Sequence, residues 1–419
     1  MRTWYRNLDY ISILLWMGLV SAGLIALYSS THGQASEYLL DSVKMNFNRQ
    51  FLFACVCAVG IGIALLLPVR FYQNLAYPLY ILSLVLLLFA LIWGQEINGA
   101  KSWLRIGGFQ FQVSEFAKLG TLMAVSSLLS SKRPGTNELN YAFYLTMLIM
   151  APVVLILLQN DAGTALIFMS TIPILLYWSG ISLSRVLVLT MPAFIAYLTV
   201  VYLPAAIIFT IIFLVYLVLR KSRVLLLTVS TVANIGAILV MKFAISFVLK
   251  PHHIARLLSF TNPEAPEYRY SVGFHLVQSK AAIGSGGLWG KGFLQGTQTQ
   301  GAYVPEQTTD FVFSVIGEEF GFAGAILVIV LFAALLIRML IMGSHIKHPF
   351  GNTFAVGVVG LYLAHIFFNI GMTTGILPVI GIPLPFLSYG GSALLTETAM
   401  LACVLNFYMR RDDFSIYGY

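Results

Sequence analysis

Charge is what this chain has least of. Lysine and arginine number 24 and aspartate and glutamate 16, together 10% of 419 residues, against roughly 25% in an ordinary soluble domain. So few charges cannot clothe a soluble fold of this length, and the mean hydropathy of +0.86 agrees. Cysteine is nearly absent too: Cys55, Cys57 and Cys403 all fall inside apolar runs. Cys55 and Cys57 point in different directions on a helix, so neither a disulfide scaffold nor a cysteine metal cluster is indicated. There is no tandem repeat, no low-complexity tract and no polar stretch long enough for a large soluble domain. A soluble enzyme and a disordered chain are excluded.

Apolar types make up 59% of the chain, enough for ~12 spans at ~20 residues each. The runs lie near 10–30, 51–68, 76–94, 115–131, 142–158, 161–180, 183–203, 204–220, 223–249, 311–339, 353–376 and 387–409. Backbone groups find no water in hydrocarbon, so these runs are read as helices. Their length, without strand-like alternation, excludes a β-barrel. The expected fold is all-α: a polytopic membrane bundle of about 10–12 transmembrane helices. It is read as one domain over residues 1–419, with one long extracytoplasmic loop over 251–310 and a shorter outer loop over 95–112.

The net charge of +8 is spread over short segments between the runs. It reads as topology charge rather than as a nucleic-acid site. With the N-terminus inside, every inner segment from Arg2 to Arg411 carries basic residues, and both termini are cytoplasmic. Ionisable groups at span edges then become functional candidates. Glu115 and Lys118 share a helix face three residues apart. Asp161 stands at an outer turn, and Asp310 stands where the long loop re-enters the membrane. Glu318 and Glu319 follow ~12 Å deeper and read as buried hydrogen-bonding groups. Thr308 and Thr309 before Asp310 also fit an N-cap for the next helix. His365 and Asn369 read as an interhelical hydrogen-bonding pair. The run IGSGGLWGKG, Ile283 to Gly292, matches neither a Walker loop, since Ser285 and Gly292 break the pattern, nor a serine-hydrolase elbow. No nucleotide site is expected; a flexible loop able to approach a ligand or membrane closely is.

Several segments together resemble the SEDS family (shape, elongation, division, sporulation). They are QSKAAIGSGGLWGKGFLQGTQTQ (Gln278 to Gln300), VPEQTTDFVFSVIGEEFGF (Val304 to Phe322) and NIGMTTGILPVIGIPLPFLSYGGSALL (Asn369 to Leu395). GAKSWLRIGGFQFQVSEFAK (Gly99 to Lys118) and QNDAGTAL (Gln159 to Leu166) fit the family's N-terminal half. The GKG and GIPLPF details resemble its elongation branch more than its division branch. The resemblance implies a peptidoglycan glycosyltransferase that polymerises lipid II at the outer face of the bacterial cytoplasmic membrane. It makes Asp310 the essential acid, places Glu115, Lys118 and Asp161 in a polar cavity and Arg105 in an outer-loop motif, and brings in a class B penicillin-binding protein as partner. Three features depart from the family. Thr308 stands where a histidine is common, Phe274 replaces a frequent tyrosine, and Glu397 stands where an uncharged residue is usual. Ten spans are usual, so the region 183–249 is enlarged.

The chemistry is sound from first principles. A sugar hydroxyl is a weak nucleophile, and a carboxylate within hydrogen-bond reach helps to remove its proton. Pyrophosphate leaves readily once cations stabilise its charge. Asp310 is expected either as general base or as ligand to a divalent cation, Mg2+ or Mn2+. Lys101, Arg105, Lys118, Arg256, Arg269, Lys280 and Lys291 are the outer cations, and either Glu115 or Asp161 should hold Lys118 charged. Membrane lipids supply the setting for the substrate's tail. A lipid flippase and a non-catalytic scaffold for the transpeptidase stand as alternative functions.

Overall fold

The computed structural model describes residues 7–34, 37, 39–97, 99–107, 109–131, 138–243, 273–304 and 306–411. Each apolar run holds helix among the described residues. The helices are α1 (Tyr10–Thr31), α2 (Asn46–Leu66), α3 (Val69–Trp93), α4 (Val113–Ser130), α5 (Glu138–Leu158) and α6 (Ala162–Trp178), followed by α7 (Leu183–Val201), α8 (Leu203–Leu219) and α9 (Val224–Phe243). After α10 (Phe274–Ser285) and the single turn α11 (Thr297–Gln300) come α12 (Val312–Glu319), α13 (Gly321–His345), α14 (Pro349–Thr374) and α15 (Gly391–Met409). Among the described residues, eight helices are long and apolar enough to cross a membrane, and three more are apolar but shorter. This is a multi-pass helical membrane protein.

The structure adds four features to the sequence reading. The outer loop 95–112 is not plain loop but a three-stranded antiparallel sheet, β1 (Gln95–Ile97), β2 (Ala100–Ile106) and β3 (Phe109–Gln112), in the order β1-β2-β3. Register pairs Trp103 with Gln112 and Arg105 with Gln110. The loop 251–310 contains helix α10, while Arg256 and Arg269 lie outside the described residues. The run 311–339 breaks into α12 and α13 at Gly321, whose φ is +65°. The single domain read over 1–419 divides into two compact units, residues 1–174 with 278–419, and residues 175–277.

The second unit holds α7, α8 and α9, packed through Val188, Phe213 and Leu217, with Leu187, Met191, Tyr216 and Leu227 against them. Its described residues include no aspartate or glutamate.

In the first unit, α14 and α15 are the most enclosed spans, 72% and 83% buried, which makes them its axis. α4 packs on α3 and α14, α15 packs on α2, and α13 packs on α1 and α14. Asp9 caps α1, accepting from Ser12 N at 3.2 Å, and takes two donors from Arg338 of α13, Nε at 3.0 Å and Nη2 at 2.6 Å. Burial works to raise the Asp9 carboxyl, but the Arg338 and Ser12 hydrogen bonds outweigh it and hold the group below the ordinary carboxylate range.

The glycine-rich run is no free loop. Gly290 N–H bonds Gly286 O, Lys291 N–H bonds Glu318 O, and Gly292 N–H bonds Glu319 O. A Cβ on Gly286 would stand 2.0 Å from Gly317 O, and one on Gly290 2.1 Å from Glu319 O. Two backbones therefore meet with nothing between them, which only glycine allows. Gly286→Ala is expected to lower stability by about 1–3 kcal/mol, whereas Gly284→Ala, with nothing within 4 Å of its Cβ, should be neutral or slightly stabilising. Thermal unfolding of the two variants in detergent measures the difference.

Candidate active site

Asp310 ends the turn from Glu306, whose carbonyl accepts the N–H groups of Thr309 and Phe311. The N-cap of α12 is Phe311, and no side chain caps that helix. The capping role open to Asp310 in the sequence is not the one it plays. Asp161 caps instead: its Oδ1 accepts Thr164 N at 3.1 Å and its Oδ2 accepts Thr164 Oγ1 at 3.0 Å and Gln112 Nε2 at 3.2 Å, at the start of α6.

The backbone around Asp310 is held residue by residue. Thr308 O accepts Tyr389 N–H at 2.8 Å, Thr309 O accepts Ser388 Oγ at 2.5 Å, and Asp310 O accepts Asn369 Nδ2 at 2.8 Å. Asn46 Nδ2 adds a bond to Thr308 Oγ1 at 3.2 Å. The half-buried Asp310 carboxylate, by contrast, receives no hydrogen bond and no ion pair among the described residues. Burial pushes its acid strength down, to a pKa of about 7, and the negative charges of Glu306 and Asp161 push in the same direction. A carboxylate fixed at its root, unbonded at its tip and half-protonated near neutrality suits proton transfer.

Beside it lies a buried polar core. Lys118 Nζ stands 2.7 Å from Glu115 Oε2 and 2.9 Å from His365 Nε2. His365 Nδ1 faces Pro383 O at 3.1 Å. A carbonyl can only accept, so Nδ1 carries the proton and Nε2 accepts from the lysine. Asn369, one turn along α14, donates its two N–H bonds to Asp310 O and Ile382 O, the latter at 2.7 Å. The sequence pairing of His365 with Asn369 is thus half right: both bridge elements, each to different partners.

The outer cations divide. Lys101 and Arg105 project from β2 and are exposed, as is Lys280 on α10. Lys291 is committed to Glu318, Nζ to Oε1 at 2.8 Å, and to Thr297 Oγ1 at 2.7 Å. Glu318 also accepts Gln298 N, Thr299 N and Thr299 Oγ1, so it pins the outer segment rather than facing substrate. Among the described residues, no three histidine, cysteine, aspartate or glutamate side chains cluster as a metal site. Asn369 and the segment 382–390 were the site members that sequence reasoning missed as such. The SYGGS block was visible there as a motif, but its partner, the backbone of 308–310, was not.

A family model described as Cell cycle protein (FtsW/RodA/SpoVE) matches residues 9–225 and 202–412. Peptidoglycan glycosyltransferase RodA of Treponema pallidum is 34% identical over 440 residues, covering 94% of this chain and 96% of its own length. Peptidoglycan glycosyltransferase MrdB of Escherichia coli K12 is 32% identical over 351 residues, covering 83% of this chain and 82% of its own. Among solved structures, a chain of a peptidoglycan synthase complex that coordinates polymerization and crosslinking superposes with a TM-score of 0.71 at 26% identity, covering 97% of this chain and 98% of that one. The crystal structure of Thermus thermophilus rod shape determining protein RodA gives 0.63 at 25%, covering 96% and 97%.

Lys118→Met would strand the buried Glu115 carboxylate and is expected to cost about 3–5 kcal/mol. Adding Glu115→Gln should restore part of that loss, because the charge needing a partner is gone. A double-mutant cycle on thermal unfolding reads both.

Proposed function

The chain belongs to the FtsW/RodA/SpoVE family and is a peptidoglycan glycosyltransferase; from that premise we propose that it polymerises lipid II with Asp310 as general base. The observation that carries this reading is the Asp310 carboxylate, unbonded among the described residues, on an immobilised backbone. The acceptor sugar hydroxyl attacks the donor's anomeric carbon, forming the new C–O bond while the bond from that carbon to the pyrophosphate breaks. The hydroxyl proton passes to an Asp310 oxygen. Lys101, Arg105 and Lys280 offer exposed positive charge for the departing pyrophosphate, together with Arg256 beyond the described residues. Lys118, enclosed with Glu115 and His365, contributes to the field rather than to contact.

A divalent cation, Mg2+ or Mn2+, suits the donor set in one respect. Asp310 has an uncommitted carboxylate with Glu306 and Asp161 near enough for their charges to act on it, and such ions take one or two carboxylates plus substrate phosphates. Asp161 has its oxygens occupied by Thr164 and Gln112, so Asp310 would be the principal ligand. The ion's chemistry would be neutralisation of pyrophosphate charge.

The positive-inside pattern supports placing both termini in the cytoplasm and Asp310 at the outer face of the cytoplasmic membrane. A class B penicillin-binding protein is the proposed transpeptidase partner, in line with the synthase complex whose chain this one superposes on. The motif details favour a role in elongation and cell shape.

Asp310→Asn is expected to lower polymerisation of purified lipid II about 10²–10⁴-fold with unfolding temperature unchanged or raised, since the carboxylate accepts no hydrogen bond among the described residues and its charge is opposed by burial and by Glu306 and Asp161. Thr308→Ala should be mild, and a loss equal to that of Asp310→Asn would mean that Thr308 does the work of the histidine common at its position. A base must be ionised to act, so kcat/KM should rise with pH up to about 7 and level off above it. Glu306→Gln removes one of the charges that raise Asp310 and should move that rise to lower pH. Flipping of labelled lipid by reconstituted vesicles without polymer would replace this reading with transport.

A further inference from the structure

The mechanism above gives no task to Glu397. Glu397 lies within α15 and is 1% exposed, and an ionisable group inside a membrane helix is expensive enough to need a reason. Its Oε2 accepts Phe386 N–H at 3.1 Å. Phe386 has a φ of +64°, left-handed backbone that a bulky residue adopts only when its surroundings hold it there. The Phe386 ring meets Tyr362 edge-on, centroids 5.4 Å apart, and the Tyr362 hydroxyl donates to the Glu397 carbonyl. Glu397 thus holds the turn directly through its side chain, and its carbonyl holds the tyrosine whose ring packs on Phe386.

That turn leads directly to the reacting group. Leu384 N–H donates to Ser388 Oγ at 2.8 Å, and the same hydroxyl donates to Thr309 O. Tyr389 N–H donates to Thr308 O. The two carbonyls preceding Asp310 are therefore set by a loop whose strained residue is held by Glu397. We propose that Glu397 is a positioning residue for Asp310, acting as a hydrogen-bond acceptor for the strained Phe386 amide. The inference rests on Asp310 being the base, and adds a residue that the reaction never touches.

The alternative is that Glu397 serves as a second charge for Lys118, near enough to feel it. Glutamine separates the two roles, because it keeps an acceptor and discards the charge. In polymerisation of lipid II by the purified full-length protein, Glu397→Ala is expected to lower kcat about 10- to 100-fold with KM little changed. Glu397→Gln should retain activity close to the parent. Hydrogen exchange of the 384–390 and 308–313 amides should quicken in Glu397→Ala and stay slow in Glu397→Gln. Parental kcat in Glu397→Ala, equal impairment in both variants, or unchanged exchange in Glu397→Ala would each overturn the proposal. A parent protein that makes no polymer would sink the catalytic reading instead, and the exchange measurement would still decide whether Glu397 holds the loop.

Discussion

Buried peptide groups that belong to no helix must find partners, because no water reaches them. The chain between α14 and α15 is such a stretch: Leu377, Ile382, Leu384, Phe386 and Leu387 are all buried. Its peptide groups are met by side chains from several helices: His365 at Pro383 O, Asn369 at Ile382 O, Gln50 at Ser388 O and Gly390 N, and Glu397 at Phe386 N. The same stretch bonds the carbonyls of Thr308 and Thr309. The position of Asp310 is thereby set by the solution to a solvation problem. The placement of Asp310 and the stability of the bundle draw on one set of hydrogen bonds.

The arrangement of charge follows a related rule. Among the described residues, the ionic side chains near this site have evident companions: Lys118 has Glu115, Glu318 has Lys291, Glu319 has Ser29, and Asp161 has its helix terminus. The Asp310 carboxylate has no such companion among them, and the charges of Glu306 and Asp161 that act on it share its sign. That imbalance leaves a proton acceptor whose protonation changes near neutrality.

Much of the bundle was legible because a bilayer imposes a simple code of length and apolarity. All twelve runs hold helix among the described residues, and the ion pair of Glu115 with Lys118 followed from a three-residue spacing on one face. What was hidden depended on partners distant in sequence. The sheet of 95–112 is built from strands of three to seven residues interrupted by glycine, too short for a pattern to show. The N-cap weighed for Asp310 falls instead to Asp161 at α6; an Asp after two threonines and an Asp before Ala-Gly-Thr look alike without the coordinates of the following turn. Lys291 read as a substrate cation because its counter-charge, Glu318, lies 27 residues away. Glu397 had no account at all, since its partner is a main-chain amide, which no residue pattern reveals.

The seam between Gly286–Gly292 and the end of α12 has a mechanical consequence. Where helices meet through leucine and phenylalanine, a shift of one is cushioned by rotamer changes in the other. Here peptide planes lie directly on peptide planes, and Glu318 rivets the two from below. A push on the segment at Trp289, a residue 83% exposed, has no soft layer in which to dissipate. It is handed on undamped to the short helix α12, which begins beside Asp310.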